Sequence, residues 1–327
     1  MQALETLLAR LESLVGRAES LLPHPPTPPD WRAATAFRWR VAQGRGRLEP
    51  VRHPHRIQLD DLLGVADQKA AIVRNTRQFI AGRPANNVLL TGARGTGKSS
   101  LVKAVLAKFA PRGLRLIEVD RNDLVGLPEI VDLIADRPER FIVFCDDLSF
   151  EAAEPGYKAL KSALDGSIAG PPENLLIYAT SNRRHLMPER MAENLETTHT
   201  ADGEIHPGET TEEKISLSER FGLWLSFYPF DQERYLDICA HWLHRFGVAE
   251  KSALAGRQEE TCLSRLSAEA NFGAAEVKRS GRNQKSALAG RPHWRQDALQ
   301  WALQRGGRSG RIAWQFARDF AGRQKCS

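Results

Sequence analysis

The sequence predicts an α/β fold: a parallel five-stranded sheet flanked by helices, followed by a small C-terminal helical region. Three observations predict it. Apolar runs at 87–91, 114–119, 141–145, 174–181 and 223–230 alternate with helical segments, the pattern that yields parallel strands joined by crossover helices. The run Phe141–Cys145 is apolar throughout, as a strand covered on both faces must be. Beyond residue 230, "ERYLDICAHWLHRFG" and "RQDALQWALQRGG" are amphipathic at helical spacing.

The first strand, "NVLLT", runs into a glycine-rich turn and then a helix from Ser99 to Lys108. The turn fits G-x-x-x-x-G-K-[ST], with Gly92, Gly97, Lys98 and Ser99 at the fixed positions. Glycines let successive backbone N–H groups curl inward onto phosphate oxygens, and the helix N-terminus adds its positive end. The nucleotide-binding set is therefore Gly92, Ala93, Arg94, Gly95, Thr96, Gly97, Lys98, Ser99 and Ser100. Lys98 reaches the β- and γ-phosphates of ATP, and the Ser99 hydroxyl binds Mg²⁺. The context of strand, loop and helix makes this a P-loop NTPase.

A phosphate loop needs a metal-binding acid from a neighbouring strand. "RFIVFCDDLSF" ends in Asp146 and Asp147, at the carboxyl edge where parallel sheets bind ligands. Asp146 is expected to hold Mg²⁺ through water, and Asp147 to orient or deprotonate the attacking water. A later strand, "NLLIYATSN", ends in Asn182, whose amide can hold that water or the γ-phosphate.

Taken together these motifs resemble an AAA+ ATPase over roughly residues 30–323. "GARGTGKS", "FIVFCDD" and "YATSN" resemble its Walker A, Walker B and first sensor motifs. "SERFGL" resembles the arginine-finger box, which implies that Arg220 reaches into a neighbouring subunit. "LDDLLGVADQKAAI" resembles the segment that packs on adenine, which implies Gly64 and Val65 near the base. "RGGRSGRIAWQF" resembles the lid helix and implies a second sensor at Arg311. More narrowly, "FCDDLSFE", "YKALKSALDGS" and "YATSNRRHL" are similar to a bacterial ATP-binding family known only as a domain of unknown function. The resemblance implies ATP chemistry, an oligomer such as a ring, and no particular client. Two departures qualify it. The second Walker B acid is Asp147, one methylene shorter than the usual glutamate, which implies slow or switch-like turnover. "DRNDLVGLPE" lacks the aromatic of a threading loop.

The flanks divide the chain further: a heptad helix at 1–22, a proline-rich linker and basic aromatic arm at 23–56, the ATPase domain at 57–230, and a helical lid at 231–327. Leu4, Leu7, Leu11, Leu14, Ala18 and Leu21 form the heptad seam, fit to dock on a partner, on a second copy or on the chain's own ATPase domain. In the arm, seven arginines and one glutamate at 31–56 interleave with Trp31, Phe37 and Trp39. That composition suits nucleic acid, by phosphate contact and base stacking, or an arm wrapped on the core with its aromatics buried and its arginines on acids. An acidic stretch at 189–219, nine acids to two bases, reads as a surface loop whose His199 and His206 lack ligand partners. The heptamer "KSALAGR" stands at 251–257 and again at 285–291, bracketing a 34-residue unit whose removal leaves an unbroken lid sequence. That unit, 251–284, reads as an insertion.

Bulk properties set the outer bounds. The chain has 327 residues, 42% hydrophobic and 26% charged, with a net charge of +6, which fits a globular protein. No apolar run is long enough for a membrane span, and the four cysteines are too scattered for a zinc or disulfide framework. The N-terminus lacks a signal-peptide pattern, so a cytoplasmic location is expected. Two function classes stand: an Mg²⁺-dependent ATPase that remodels a partner, or an ATP-gated binding module or nucleic-acid loader with little hydrolysis.

Overall fold

The computed structural model describes residues 29–42, 44–55, 57–149, 155–165, 172–182, 217–248 and 294–325, together with residue 10 and the pairs 198–199 and 205–206. The heptad seam, most of the proline-rich linker and the insertion at 251–284 lie outside the described residues.

The strands are β1 (Ala36–Ala42), β2 (Arg45–Pro50), β3 (Val88–Gly92), β4 (Leu114–Val119), β5 (Arg140–Cys145), β6 (Leu175–Ser181), β7 (Thr198–His199), β8 (Ile205–His206) and β9 (Leu223–Phe227). The helices are α1 (Ala66–Ile80), α2 (Lys98–Phe109), α3 (Leu127–Ile134), α4 (Pro155–Asp165), α5 (Gln232–Arg245), α6 (Trp294–Gln304) and α7 (Gly310–Lys325). The main sheet runs β2-β1-β4-β5-β6-β3-β9. Every neighbouring pair is parallel except β1 with β2. The parallel sheet flanked by helices that the sequence predicts is thus present, with seven strands rather than five. The small pair β7–β8 is antiparallel and falls in the acidic stretch.

The two extra strands come from the segment read as a basic aromatic arm. It is a hairpin that extends the sheet through β1 alongside β4. Its aromatics are interior: Trp31, Phe37 and Trp39 are all buried. Trp31 packs on Phe37 at 4.6 Å and on Phe141 at 4.8 Å between ring centroids. A Cβ at Gly126 would fall 2.5 Å from the Trp39 indole nitrogen, so that glycine makes room for the ring. Arg38 pairs with Glu118 at 2.8 Å, and Arg47 pairs with Glu49. Of the two roles open to the three aromatics, base stacking is the one the fold rules out, because the core has already taken them. The arm wrapped on the core, aromatics in and Arg38 and Arg47 on acids, is the one adopted.

Along the central strands, side chains alternate between two cores, as the pleat requires. Ile142 and Phe144 face one layer, while Phe141, Val143 and Cys145 face the other. Each such side chain is fully buried and contributes roughly 1.5–3 kcal/mol of transfer energy. The first layer is continuous with the lid: Leu101 and Phe109 of α2 share it with Tyr235, Cys239, Trp294 and Phe316. Within the lid the Tyr235 hydroxyl donates to the Ala298 carbonyl at 3.0 Å, joining α5 to α6. A buried carboxylate ties the lid to the segment before α1. Asp61 accepts from the Gln58 N–H at 2.9 Å and faces His241 at 3.2 Å and Arg245 at 3.4 Å.

Candidate active site

Strand β3 delivers the glycine loop at its carboxyl end. Two of the glycines have steric reasons. A Cβ at Gly92 would lie 1.9 Å from the Phe227 carbonyl oxygen, so the close approach of β9 excludes any side chain. Gly95 has φ +75°, and its Cβ would meet Ser309 at 2.7 Å, where the start of the lid helix α7 rests on the loop. The Thr96 hydroxyl donates to the Ala93 carbonyl at 2.8 Å and closes the loop on itself.

Lys98, the first residue of α2, is buried. Its ammonium donates to the carbonyls of Gly92 at 2.7 Å and Ala93 at 2.8 Å, and to Asn182 Oδ1 at 3.0 Å. Burial pulls this ammonium below its ordinary pKa, against the opposing pull of Asp147 and Asp146; Arg94 adds to the lowering.

The acids stand beyond the end of β5. Asp146 Oδ1 accepts from the Ser99 hydroxyl at 2.6 Å and from the Thr180 hydroxyl at 2.6 Å. Thr180 in turn accepts from the Asp147 backbone N–H at 2.9 Å. Asp147 has φ +54°, the one non-glycine residue in the left-handed region among the described residues. That conformation costs roughly 1–3 kcal/mol and persists where the surroundings over-determine it. Here Thr180 fixes its N–H, Asn182 Nδ2 donates to its Oδ1, and Arg94 lies 3.9 Å from its Oδ2.

These groups line a cleft of about 740 Å³ between the sheet and the lid, a size that suits a nucleotide-like ligand. Of the residues expected at the site, Arg94 to Ser100, Asp146, Asp147, Asn182, Val65 and Arg311 line it. Gly92 and Ala93 lie beneath and take part through their carbonyls. Gly64 is not among the lining residues; it packs on Phe230, which is. Arg220 is not among them either, and pairs with Asp165 at the end of α4. The sequence reading missed Thr180 and the apolar wall, which includes Ile57, Leu62, Phe230, Ile238, Trp242 and Trp314. Thr180 was two residues from Asn182 in "YATSN". The tryptophans carried no local signal, because only the folding of the lid brings them over the loop.

Residues 32–285 and 277–324 match the family described as "Protein of unknown function (DUF815)". The chain belongs to that family. No curated protein matches it. Among solved structures, this DUF815 member is similar to the FIGL-1 AAA domain in complex with ADP, at 18% identity over 58% of this chain and 62% of that chain, with a TM-score of 0.40. It is also similar to the HORMA:CdnC:Trip13 complex of E. coli MS115-1, at 14% identity over 80% of this chain and 90% of that chain, with a TM-score of 0.43. A third likeness is to the Thermotoga maritima RuvB Holliday junction branch migration motor, at 14% identity over 80% and 71% of the two chains, with a TM-score of 0.37. The DUF815 chain thus spans less than two thirds of the FIGL-1 chain it matches.

The donor set fits magnesium. Ser99 Oγ and Asp146 Oδ1 are hard oxygen donors held 2.6 Å apart, and Mg²⁺ is commonly held by one or two carboxylates with water and substrate phosphates completing its shell. No cluster of three or more His, Cys, Asp or Glu residues that could hold a metal occurs among the described residues. No helix among the described residues is long and apolar enough to cross a membrane.

Proposed function

We propose that this chain is an AAA+ ATPase whose Mg²⁺-dependent hydrolysis of ATP drives remodelling of a partner. The observation that carries the reading is the convergence of Lys98, Ser99, Asp146, Asp147 and Asn182 at the carboxyl edges of β3, β5 and β6, linked by direct contacts. In this reading the loop N–H groups and Lys98 bind the β- and γ-phosphates. Ser99 and, through water, Asp146 hold Mg²⁺, which supplies charge neutralisation at those phosphates. Asp147 accepts the proton of the attacking water, and Asn182 orients that water. The base lies near Val65 and the apolar wall, and Arg311 reaches the phosphates from the lid. Arg220 serves the cleft of a neighbouring subunit in an oligomer. A cytoplasmic site of action belongs to the same reading. Phosphate release measured with and without Mg²⁺, on wild type and Lys98→Ala, tests it: turnover in wild type with Mg²⁺ alone supports it, and none at any protein concentration refutes it.

One observation favours a second reading, an ATP-gated binding module with little hydrolysis. Both oxygens of Asp147 already have neighbours, Asn182 and Arg94, and the aspartate arm is short. Nucleotide binding without turnover, with a change in partner affinity, would select it. Its nucleic-acid-loader version has lost the exposed aromatics that motivated it.

A further inference from the structure

Arg94 is the third residue of the glycine loop, and its side chain is 81% exposed at the rim of the cleft. It lies 3.9 Å from Asp147 Oδ2, while Asn182 holds Oδ1. Lys98 donates to two carbonyls and the Asn182 oxygen, so the cation beside Asp147 Oδ2 is Arg94. The Asp147 carboxylate therefore stands where an anion meets Arg94. We propose that the Arg94 side chain is a γ-phosphate contact supplied by the same subunit, and that its transfer from Asp147 to the phosphate frees that carboxylate for the attacking water. This rests on the ATPase reading above and deepens it.

The exchange is favoured by chemistry on both sides. An exposed ion pair at such a distance is weak and easily broken. A γ-phosphoryl group carries more charge than a carboxylate and offers three oxygens to the planar guanidinium fork. Once Arg94 has moved, Asp147 Oδ2 is open and Oδ1 is still fixed by Asn182. The water oxygen then bonds to the γ-phosphorus, and the bond from that phosphorus to the bridging oxygen breaks. ADP leaves with the electron pair, and the water proton passes to Asp147 and on to solvent, giving ADP, phosphate and one proton. A diphosphate offers no γ-oxygen, so ADP leaves the Arg94–Asp147 contact in place. The loop would then distinguish ATP from ADP before any neighbouring subunit contributes.

Calorimetric titration with ADP and with a non-hydrolysable ATP analogue tests this, alongside phosphate release. Arg94→Ala should weaken the analogue by about tenfold or more, the scale of a charge-assisted hydrogen bond, and leave ADP within about twofold. Arg94→Lys should recover part of the loss, because it keeps the charge and loses the fork. Asp147→Asn keeps an acceptor for Asn182 and removes the competing charge. It should tighten the analogue in the Arg94 protein and leave its affinity unchanged in Arg94→Ala. An analogue-to-ADP ratio that is unchanged in Arg94→Ala, or an Asp147→Asn effect that is equal with and without Arg94, overturns the inference while the ATPase reading stands. Wild type that binds neither nucleotide overturns both.

Discussion

The Gly310 backbone N–H donates to the Gly95 carbonyl oxygen at 2.9 Å. The first residue of the lid helix is thus bonded to the middle of the phosphate loop, with Ser309 packed against the same glycine. The loop and the lid helix share a backbone bond and a steric contact. Gly95→Ala should expose this coupling. Its Cβ would press on Ser309, and φ +75° is strained for alanine, at roughly 1–2 kcal/mol. The variant should melt at lower temperature and bind ATP more weakly. Adding Ser309→Gly should recover part of the melting temperature, because it removes the steric contact and leaves the backbone strain. No recovery would show that the strain alone matters.

Lys98→Ala should abolish ATP binding, since the ammonium is the buried cation beneath the loop. Asp147→Ala and Asp147→Asn should retain binding and lose hydrolysis, because Asp147 acts on water and not on phosphate. Titration and phosphate release on the same samples separate the two effects. Turnover undiminished in the Asp147 variants would remove that carboxylate from the mechanism.

Arg220 is held by Asp165 and is absent from the lining of its own cleft, which sets up a test of action between subunits. Arg220→Ala should bind ATP normally and lose turnover, by a factor on the order of 10³–10⁵ if it serves as a finger. Mixing it with Lys98→Ala should restore some activity, because a composite site then has one intact half from each chain. Mixed oligomers that form and stay inactive would argue against the finger.

Stability should fall at alkaline pH. Burial pushes the Cys145 and Cys239 thiols up to about 12 from 9.0, and the Tyr178 hydroxyl up to about 12 from 10.0. The folded chain keeps these protons above pH 9 while the unfolded chain sheds them. The thiol contributions are full below pH 9 and are lost between pH 9 and 12, and that of Tyr178 is lost between pH 10 and 12, at about 1.4 kcal/mol per pH unit for each group. Urea unfolding at pH 8 and pH 10 should show the loss, and a Cys145→Ala, Cys239→Ala variant should show less of it.

Residues 251–284 should be dispensable. The repeated heptamer brackets them, and deletion leaves an uninterrupted lid sequence. Lengthening a surface connection costs little, about 0.6 kcal/mol per doubling. Deleting 251–284 should leave melting temperature, ATP affinity and turnover nearly unchanged. A marked fall in any of them would mean that the segment has been recruited into the lid.

Much of the fold and the glycine-loop side of the candidate site is legible in the sequence because the signals are local. Lys98 and Ser99 follow the glycines in a fixed motif, and Asp146 and Asp147 end a uniformly apolar run. The five expected strands lie within a few residues of those observed. What escaped notice depends on distant segments meeting. Trp242 and Trp314 reach the cleft only once α5 and α7 have packed. Ser309 gives Gly95 its second reason to lack a side chain. The hairpin is different, because its signal was present: Phe37, Arg38, Trp39 and Arg40 alternate with period two, buried and exposed in turn. The interleaved arginines overlay that alternation with an equally strong signal of charge.

The hairpin has a further consequence for the integrity of the sheet. Strand β4 lies between β1 and β5, and most of its side chains are buried. A chain beginning at residue 57 would leave β4 as a bare rim, apolar and with an open row of amides and carbonyls. Such a rim invites strands from other molecules to add on. In the chain as it stands the outermost strand is β2, which carries Arg45, Arg47 and Glu49 and ends in Pro50. Like charges meet across the hairpin where Arg40 faces Arg47. A second sheet approaching that side would meet a row of charge and a proline that offers no donor. The basic segment thus closes this side of the sheet with charge, a place in the fold that its arginines fill without any ligand.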